Sequence, residues 1–485
     1  MIEWFDHILY HTRVQPETSA FVMEDRVVTY GMLAVAIENC AHRIAALGIA
    51  NDGTVAILVQ NPIRHFTLCL ALYRIGIRSM SLEQGQSGIA SLTFAAVLGD
   101  GEARQLIDPA NRFIEVTDVW FETNPIGGDS LPAGFSNHKE ICHHTLTSGT
   151  TGVPKQFDCT IEYVSRHVPL AIIYNCSHVL CMLGLSSAWG YLIACATLAT
   201  GKTLCFAASP YQAVRMIELF SIDFFMASLD QLLAIARAAR KMSAHLTSLR
   251  KVIAGGSVPS RALLDAAMAY VCKDIICRYG TTELGLVADA PASEVLSKPG
   301  LIGRVIPGVE IAVFDPRGGR LPPGQVGIIR GRIKSWIGDL PDDSADKHPW
   351  IDVGDVGWMA ADDQFYVVGR TSDIAIAGPA DASAQTISPV HEVEHLLRLE
   401  WDAADAAAVL IDDEAGESKP QLWIGTVDCK DAQAEKLEAI LRIRGIDFPV
   451  RLFALKSIPR AANGKVQRTQ LKTLMVSAAE NSQQL

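Results

Sequence analysis

The feature that most constrains the fold is a repeated alternation of amphipathic helices and short apolar strands along the first part of the chain. Residues 29–48 carry apolar side chains at helical spacing and end at a glycine, and the apolar run "TVAILVQN" follows them. The same order returns in "TLCFAAS", "AVRMIELFSI", "FFMAS" and "LDQLLAIARAAR". Parallel strands need crossovers long enough for a helix, so this order predicts parallel sheets covered by helices.

The pattern changes near Leu301, where short runs of β-forming residues separated by Gly and Pro replace the long alternation. After the segment "VVGRTSD", helical and strand patterns alternate again to the end of the chain. We therefore predict an α/β protein with a large N-terminal domain, residues 1–370, of helix-flanked β-sheets with a β-rich subdomain. A small α+β C-terminal domain, residues 371–485, completes it.

Composition excludes several classes of protein. The 485 residues carry a net charge of −11, whereas a face that binds nucleic acid is basic. No uncharged apolar run reaches the roughly 20 residues of a membrane-spanning helix, and no apolar signal segment follows a basic N-terminus. The 11 cysteines form no CxxC pair, which is typical of reduced thiols. We therefore predict a cytoplasmic protein without a membrane span.

One segment, "SPVHEVEHLL", contains the pattern HExxH, which on a helix places two histidines on one face beside a glutamate. His391 and His395 are candidate zinc ligands, and Glu392 is the matching general base. Glu414 and Glu417, in "DDEAGESKP", are candidates for a third ligand. The pattern is short enough to arise by chance, so a zinc hydrolase is one hypothesis that the rest of the chain must test.

The most informative run is "HHTLTSGTTGVPKQ", residues 143–156. Glycine lets backbone N–H groups approach a phosphate, hydroxyl side chains donate further hydrogen bonds, and lysine adds a positive charge. The run is not a Walker loop, because Gln156 follows the lysine where that motif requires a hydroxyl. The candidate phosphate-binding residues are Thr147, Ser148, Gly149, Thr150, Thr151, Gly152 and Lys155.

The run "LTSGTTGVPK" resembles the phosphate-binding signature of the adenylate-forming (ANL) superfamily, which includes acyl-CoA synthetases, peptide-synthetase adenylation domains and firefly luciferases. Further segments resemble motifs of that superfamily in the expected order along the chain. They are "AGGSVPS", "RYGTTELG", "WIDVGDVGW", "VVGRTSD" and "IPRAANGKVQR". The resemblance implies that a carboxylic acid reacts with ATP to give an acyl-adenylate and pyrophosphate.

The resemblance also implies roles for the residues around the nucleotide base and the metal. Tyr279 would stack against adenine, Thr282 would contact the α-phosphate, and Glu283 would help to hold Mg²⁺, which prefers oxygen ligands. Gly255 and Gly256 would border adenine and the acyl group.

Three more residues complete the implied site. Asp355 would accept hydrogen bonds from both ribose hydroxyls, and Arg370 would reach the nucleotide at the domain joint. Lys465 would bridge the substrate carboxylate and the α-phosphate, which offsets negative charge during attack on phosphorus. In the superfamily the small C-terminal domain is mobile and carries this lysine away for the second step. We predict Lys465, Thr282 and Glu283 as the catalytic residues.

The resemblance offers another explanation of HExxH. In the superfamily a segment like "ISPVHEVE" begins a helix with the pattern Pro-x-Glu-[Val/Ile]-Glu, which Pro389, Glu392 and Glu394 match. We then expect His391 and His395 at exposed positions of that helix. The side chains expected to face the core of the small domain are Val393, Leu396 and Leu397.

The acyl group is predicted from the segment "GLSSAWGYL", residues 184–192. In amino-acid-activating relatives this region holds an acidic residue for the substrate ammonium, and a buried ammonium without a partner is costly. This segment contains no acidic residue, which favours an aryl or fatty acyl acid over an α-amino acid. The candidate substrate-binding residues are Ser187, Trp189 and Gly280.

We therefore predict a ligase that uses ATP and Mg²⁺ and makes an acyl-CoA or aryl-CoA thioester. The alternative acceptor is the phosphopantetheine of a carrier protein, or an amine, because the loop after Arg370, "AIAGPADASAQTISP", is longer than in relatives. A nucleotide-binding protein that has lost catalysis is disfavoured, since the charged residues of every motif are present. Those residues are Lys155, Glu283, Asp355, Arg370 and Lys465.

Overall fold

The computed structural model divides into two compact units, which are described in turn. The first comprises residues 1–227 and 246–250, and the second comprises residues 228–245 and 251–485. The structure describes residues 3–50, 52–84, 89–127, 130–147, 155–172, 175–281, 284–333, 349–371, 380–381, 388–411, 420–429, 433–460 and 466–483.

The first unit is built from eleven described strands and six described α-helices. The strands are β1 (Ser19–Met23), β2 (Arg26–Thr29), β3 (Thr54–Leu58), β4 (Arg78–Ser81), β5 (Ala96–Gly99), β6 (Phe113–Glu115), β7 (Ile141–Thr147), β8 (Lys155–Thr160), β9 (His178–Cys181), β10 (Thr203–Cys205) and β11 (Phe224–Ser228). The helices are α1 (Trp4–Val14), α2 (Tyr30–Ala46), α3 (Pro62–Arg74), α4 (Ile161–Ile172), α5 (Ala188–Ala199) and α6 (Pro210–Leu219).

These strands form two groups. One sheet has the order β6-β5-β3-β4-β7-β8, in which the first five strands are parallel and β8 returns antiparallel to β7. The other group runs β2-β1-β10-β9-β11 and is parallel except for the hairpin of β1 and β2. The predicted parallel sheets with intervening helices are therefore confirmed.

Local sequence explains where several helices begin. The Asn61 side chain accepts hydrogen bonds from the backbone N–H groups of Ile63 and Arg64, and Pro62 occupies the first position of α3. Helix α6 begins in the same way, with the Ser209 side chain as cap and Pro210 at the first position. Each start satisfies N–H groups that have no partner within the helix.

The second unit contains the remaining elements. Its helices are α7 (Leu229–Met242), α8 (Arg261–Tyr270), α9 (Ala292–Ser297), α10 (Val390–Glu400), α11 (Ala434–Ile443) and α12 (Arg468–Gln483). Its strands are β12 (Lys251–Gly255), β13 (Ile275–Thr281), β14 (Gly285–Pro291), β15 (Leu301–Val305), β16 (Val309–Phe314), β17 (Gln325–Ile333), β18 (Ile351–Met359), β19 (Gln364–Arg370), β20 (Ala380–Asp381), β21 (Asp405–Ile411), β22 (Gln421–Val427) and β23 (Val450–Ala454).

Two architectures follow one another in this unit. Strand β12 pairs in parallel with β13, and the sheet then continues antiparallel in the order β13-β14-β15-β19-β18-β17-β16. Strands β21, β22 and β23 form a separate small sheet that packs with helices α10, α11 and α12. The predicted β-rich subdomain and the small α+β region are both present.

The domain boundary predicted between residues 370 and 371 falls within the second unit and stays a prediction. No helix among the described residues is both long enough and apolar enough to cross a bilayer.

Candidate active site

Three residues from three separate sequence motifs meet in the second unit. The carboxylate of Asp355 accepts a hydrogen bond from the Tyr279 hydroxyl, with 2.5 Å between Oδ2 and the phenolic oxygen. Its other oxygen, Oδ1, lies 3.1 Å from Nη1 of Arg370. Asp355 is 5% exposed, so these contacts supply the partners that a buried carboxylate requires. The structure thus places the predicted adenine-binding and ribose-binding residues side by side.

Paired strands hold this cluster in place. Asp355 on β18 and Arg370 on β19 are register partners, which puts their side chains on the same face of the sheet. Tyr279 lies on β13, and its ring meets that of Phe365 edge-on, with 5.5 Å between the ring centroids. Because Phe365 is fully buried, it gives the tyrosine ring a rigid support.

Gly255 and Gly256 lie at the end of β12, and each has a backbone reason to be glycine. A β-carbon on Gly255 would lie 2.2 Å from the carbonyl oxygen of Arg278, so no larger residue fits at this approach of β12 to β13. Gly256 has a φ of +92°, which residues with a side chain rarely adopt. The small pocket here is lined by Leu229, Ala254, Gly255, Ser257, Pro259, Cys277, Arg278, Tyr279 and Ile302.

Gly280, predicted to contact the substrate, has a structural reason to be glycine. A β-carbon at this position would lie 2.5 Å from the carbonyl oxygen of Gly285 on the neighbouring strand β14. The register of β13 against β14 shifts between Tyr279 and Gly280. The close approach of the two backbones accounts for the glycine, and its contact with substrate stays a prediction.

The candidate phosphate loop connects two paired strands of the first unit. Thr147 ends β7, Lys155 begins β8, and the two residues are register partners. Since β7 pairs in parallel with β4, Thr147 ends β7 at the carboxyl edge of the parallel strands, where α/β sheets commonly bind ligands. The residues Ser148, Gly149, Thr150, Thr151 and Gly152 lie outside the described residues, as do the side chains of Thr147 and Lys155.

The three predicted catalytic residues, Thr282, Glu283 and Lys465, also lie outside the described residues. Their flanks are described. Thr281 is the last residue of β13, and Arg460 forms an antiparallel bridge with Val466, the residue after Lys465. The catalytic roles of the three stay predictions.

Ser187 and Trp189 lie at the start of α5. The Ser187 hydroxyl donates a hydrogen bond of 2.7 Å to the carbonyl oxygen of Gly184 and accepts one of 3.1 Å from the backbone N–H of Gly190. This serine is therefore the N-cap of the helix, a role that its position before an apolar helical run could have predicted. Trp189 is partly buried in the first turn. Substrate contact by either residue stays a prediction.

An acidic side chain lies beside this segment although residues 184–192 contain none. A β-carbon on Gly184 would lie 1.8 Å from Oε1 of Glu83, so the carboxylate lies directly against the glycine. Glu83 follows strand β4, about a hundred positions earlier in the chain. Because a carboxylate distant in the sequence lies beside residues 184–192, acids that carry an amino group belong among the substrates to be tested.

Helix α10 carries HExxH, and the structure corrects one expectation about it. His395 was expected at an exposed position, but it is 1% exposed and its Nδ1 lies 2.7 Å from the Ser260 hydroxyl oxygen. His391 is partly buried, with Nδ1 3.5 Å from Oε2 of Glu394. The expectation failed because α10 packs against both α8 and β21, which leaves little of its surface open. The side chains of Val393, Leu396 and Leu397 are buried, as predicted.

The glutamate of HExxH is also engaged in the fold. Both oxygens of Glu392 lie 3.2 Å from the backbone nitrogen of Ala262 in the first turn of α8, and Arg444 donates a 2.6 Å hydrogen bond to Oε1. A carboxylate at a helix N-terminus is favourable because it meets unpaired N–H groups. Within the described part of the chain, no three His, Cys, Asp or Glu side chains are placed to hold a metal ion. Glu414 and Glu417 lie outside the described residues.

The burial of His395 predicts a pH dependence of stability. Burial, with a contribution from Arg398, lowers the pKa of His395 to about 3, whereas a histidine in an unfolded chain has a pKa of about 6.5. Unfolding takes up a proton below pH 6.5, so stability is lost as the pH falls from 6.5 toward 3. When the pH is lowered from 7 to 5, the free energy of unfolding should fall in both proteins. We expect the fall to be about 2 kcal/mol larger in wild type than in His395→Gln.

Urea titrations at the two pH values measure this difference. The control is His245→Gln, which removes an exposed histidine and should lose as much stability as wild type. The same pH effect in wild type and in His395→Gln would show that His395 is not held neutral in the folded chain.

Known proteins are similar to this chain over nearly its whole length. The family model of AMP-binding enzymes matches residues 10–333. The chain is 22% identical over 492 residues to a 2-succinylbenzoate–CoA ligase of Listeria monocytogenes, with 95% of this chain and 97% of the relative covered. It is 24% identical over 505 residues to a fatty acid–[acyl-carrier-protein] ligase of Streptomyces coeruleorubidus, with 96% and 94% covered.

Solved structures share the fold. The O-succinylbenzoate coenzyme A synthetase of Bacillus subtilis, in complex with ATP and magnesium ion, has a TM-score of 0.74 and 21% identity. That comparison covers 96% of this chain and 99% of the other. The amide bond synthetase of Marinactinospora thermotolerans has a TM-score of 0.72 and 23% identity, with 97% and 99% covered.

Proposed function

Because the chain belongs to the AMP-binding enzyme family, within the adenylate-forming superfamily, we propose that it activates an aryl or fatty acyl carboxylic acid with ATP and transfers the acyl group to coenzyme A. In the first step a carboxylate oxygen of the acid bonds to the α-phosphorus, and the bond to pyrophosphate breaks. In the second step the thiol sulfur bonds to the acyl carbon, the thiol proton leaves, and AMP is released.

The cluster of Tyr279, Asp355 and Arg370 is the observation that carries this proposal. The cluster brings together three groups that suit the parts of a nucleotide. The aromatic face suits a nucleobase, the carboxylate suits ribose hydroxyls, and the guanidinium suits a nearby phosphate. A carboxylate oxygen can accept more than one hydrogen bond, so the contacts of Asp355 with Tyr279 and Arg370 are compatible with hydrogen bonds from ribose hydroxyls. These residues fit a nucleotide.

Mg²⁺ would supply positive charge that offsets the triphosphate, and Glu283 is its proposed ligand. Replacing Glu283 with Gln keeps the shape and removes the charge. We expect the Mg²⁺ concentration for half-maximal adenylation to rise about tenfold, while the melting temperature stays unchanged. Mutation of residues that support a metal site lowers metal affinity by a similar factor in other proteins.

The measurement is adenylation rate against Mg²⁺ concentration. Glu294→Gln, at an exposed position of α9, is the control and should behave as wild type. A lower melting temperature in Glu283→Gln with the same Mg²⁺ dependence would indicate a structural role instead.

ATP–pyrophosphate exchange across a panel of carboxylic acids tests the proposed first step. The panel compares benzoate, phenylacetate and fatty acids of several lengths with 2-aminobenzoate and α-amino acids, because Glu83 lies beside the segment assigned to the acyl group. We expect an aryl or fatty acyl acid to support exchange. If only α-amino acids support exchange, and Glu83→Gln abolishes it, α-amino acids replace the proposed substrate class.

Two of the similar proteins favour acceptors other than coenzyme A. One is a ligase that acts on an acyl carrier protein, and the other is an amide bond synthetase, which suggests an amine acceptor. Single-turnover transfer from preformed acyl-adenylate separates the candidates. The same preparation is offered coenzyme A, a phosphopantetheinylated carrier protein, and a primary amine. Fast, saturable transfer to coenzyme A supports the proposal, and saturable transfer only to the carrier or the amine assigns the second step to that acceptor.

A further inference from the structure

The two oxygens of the Asp355 carboxylate are held by different partners. Oδ2 accepts the hydroxyl proton of Tyr279 at 2.5 Å, and Oδ1 faces Nη1 of Arg370 at 3.1 Å. The final torsion of an aspartate side chain is broad, so one contact alone leaves the carboxylate plane free to turn. A contact on each oxygen fixes that plane.

The two contacts differ in how firmly they are anchored. The Arg370 side chain is 42% exposed, and its Nη1 also lies 3.4 Å from the carbonyl oxygen of Val353, so its position is divided between two acceptors. The ring of Tyr279 is supported by the buried Phe365 and packs on an apolar cluster that includes Val287. The hydroxyl is therefore the better fixed of the two donors.

We infer that the Tyr279 hydroxyl is a positioning group, which orients Asp355 so that both carboxylate oxygens face the vicinal hydroxyls of a bound ribose. This inference rests on the proposed function, because it assumes that the nucleotide binds at this cluster. It assigns two tasks to one side chain: the ring forms a wall of the pocket, and the hydroxyl acts through Asp355. Tyr279→Phe removes only the second task.

The test is calorimetric titration of ATP and of 2′,3′-dideoxy-ATP into wild type and Tyr279→Phe. A hydrogen bond to a charged group contributes a factor of about ten or more, so we expect ATP to bind the variant about tenfold more weakly. The dideoxy nucleotide has no ribose hydroxyls for Asp355, so both proteins should bind it equally. If the tyrosine acted only through packing or stacking, Tyr279→Phe would weaken the binding of both nucleotides by the same factor. That result would overturn the inference, and so would unchanged binding of ATP.

Two controls complete the experiment. Tyr366→Phe removes a hydroxyl that donates to Gln364 at 3.0 Å on the same strand as Arg370, and it should bind both nucleotides as wild type does. The second control combines Tyr279→Phe with Asp355→Asn, and this double variant should bind ATP as tightly as Asp355→Asn alone. A further tenfold loss of ATP affinity would contradict action through Asp355. Binding is measured without any acid, so failure of pyrophosphate exchange would affect the proposed function and leave this comparison valid.

Discussion

Replacing Lys465 with alanine is expected to lower the rate of acyl-adenylate formation by about 10²–10³-fold. The reason is electrostatic: the attack of a carboxylate on the α-phosphate brings negative groups together, and removing one fixed donor from such a site costs about 2.7–4 kcal/mol. The rate is measured by ATP–pyrophosphate exchange with the best acid of the panel. Lys456→Ala, an exposed lysine in the same part of the chain, is the control and should keep the wild-type rate.

The same variant separates the two half-reactions. The resemblance to adenylate-forming enzymes implies that the C-terminal domain carries Lys465 away before thioester formation. Transfer of the acyl group from supplied acyl-adenylate to coenzyme A should therefore proceed at close to the wild-type rate in Lys465→Ala. Equal losses in both half-reactions would mean that the lysine stays at the site throughout, and the two-position scheme would not apply to this chain.

Replacing Asp355 with alanine is the second change with a large expected effect. It removes the carboxylate that contacts both Tyr279 and Arg370. The same carboxylate is the predicted acceptor of hydrogen bonds from the ribose hydroxyls. Hydrogen bonds to charged groups contribute about 1.5–3 kcal/mol, so we expect kcat/KM for ATP to fall about 10–100-fold, mainly through KM. The KM for the acid should change little.

Initial rates at varied ATP and varied acid measure this separation. Asp362→Ala, which changes an exposed carboxylate in the turn between β18 and β19, is the matched control and should leave both KM values unchanged. A fall in kcat with no change in the KM for ATP would indicate that Asp355 acts on the chemical step and not on nucleotide binding.

The helix with HExxH shows where sequence patterns reach their limit. Glu392 and Glu394 fit the superfamily helix, and the register correctly predicted that Val393, Leu396 and Leu397 are buried. The same register predicted an exposed His395, which is buried. A helical pattern identifies the main apolar face, but it cannot say that a second element covers the opposite face. That cover comes from α8, whose N-cap Ser260 is 135 residues away from His395 in the chain.

The sequence by itself determined the alternation that produces helix-covered parallel sheets, the β-rich region after Leu301, and the identity and order of the motifs that resemble those of adenylate-forming enzymes. These follow from local side-chain periodicity and from residue types that a given chemistry requires. Only the tertiary structure decided which side chains share a partner. The Tyr279 hydroxyl reaches Asp355 across 76 positions, and the Glu83 carboxylate lies against Gly184. Such contacts depend on how strands and loops distant in the chain pack together, and no local pattern encodes that distance.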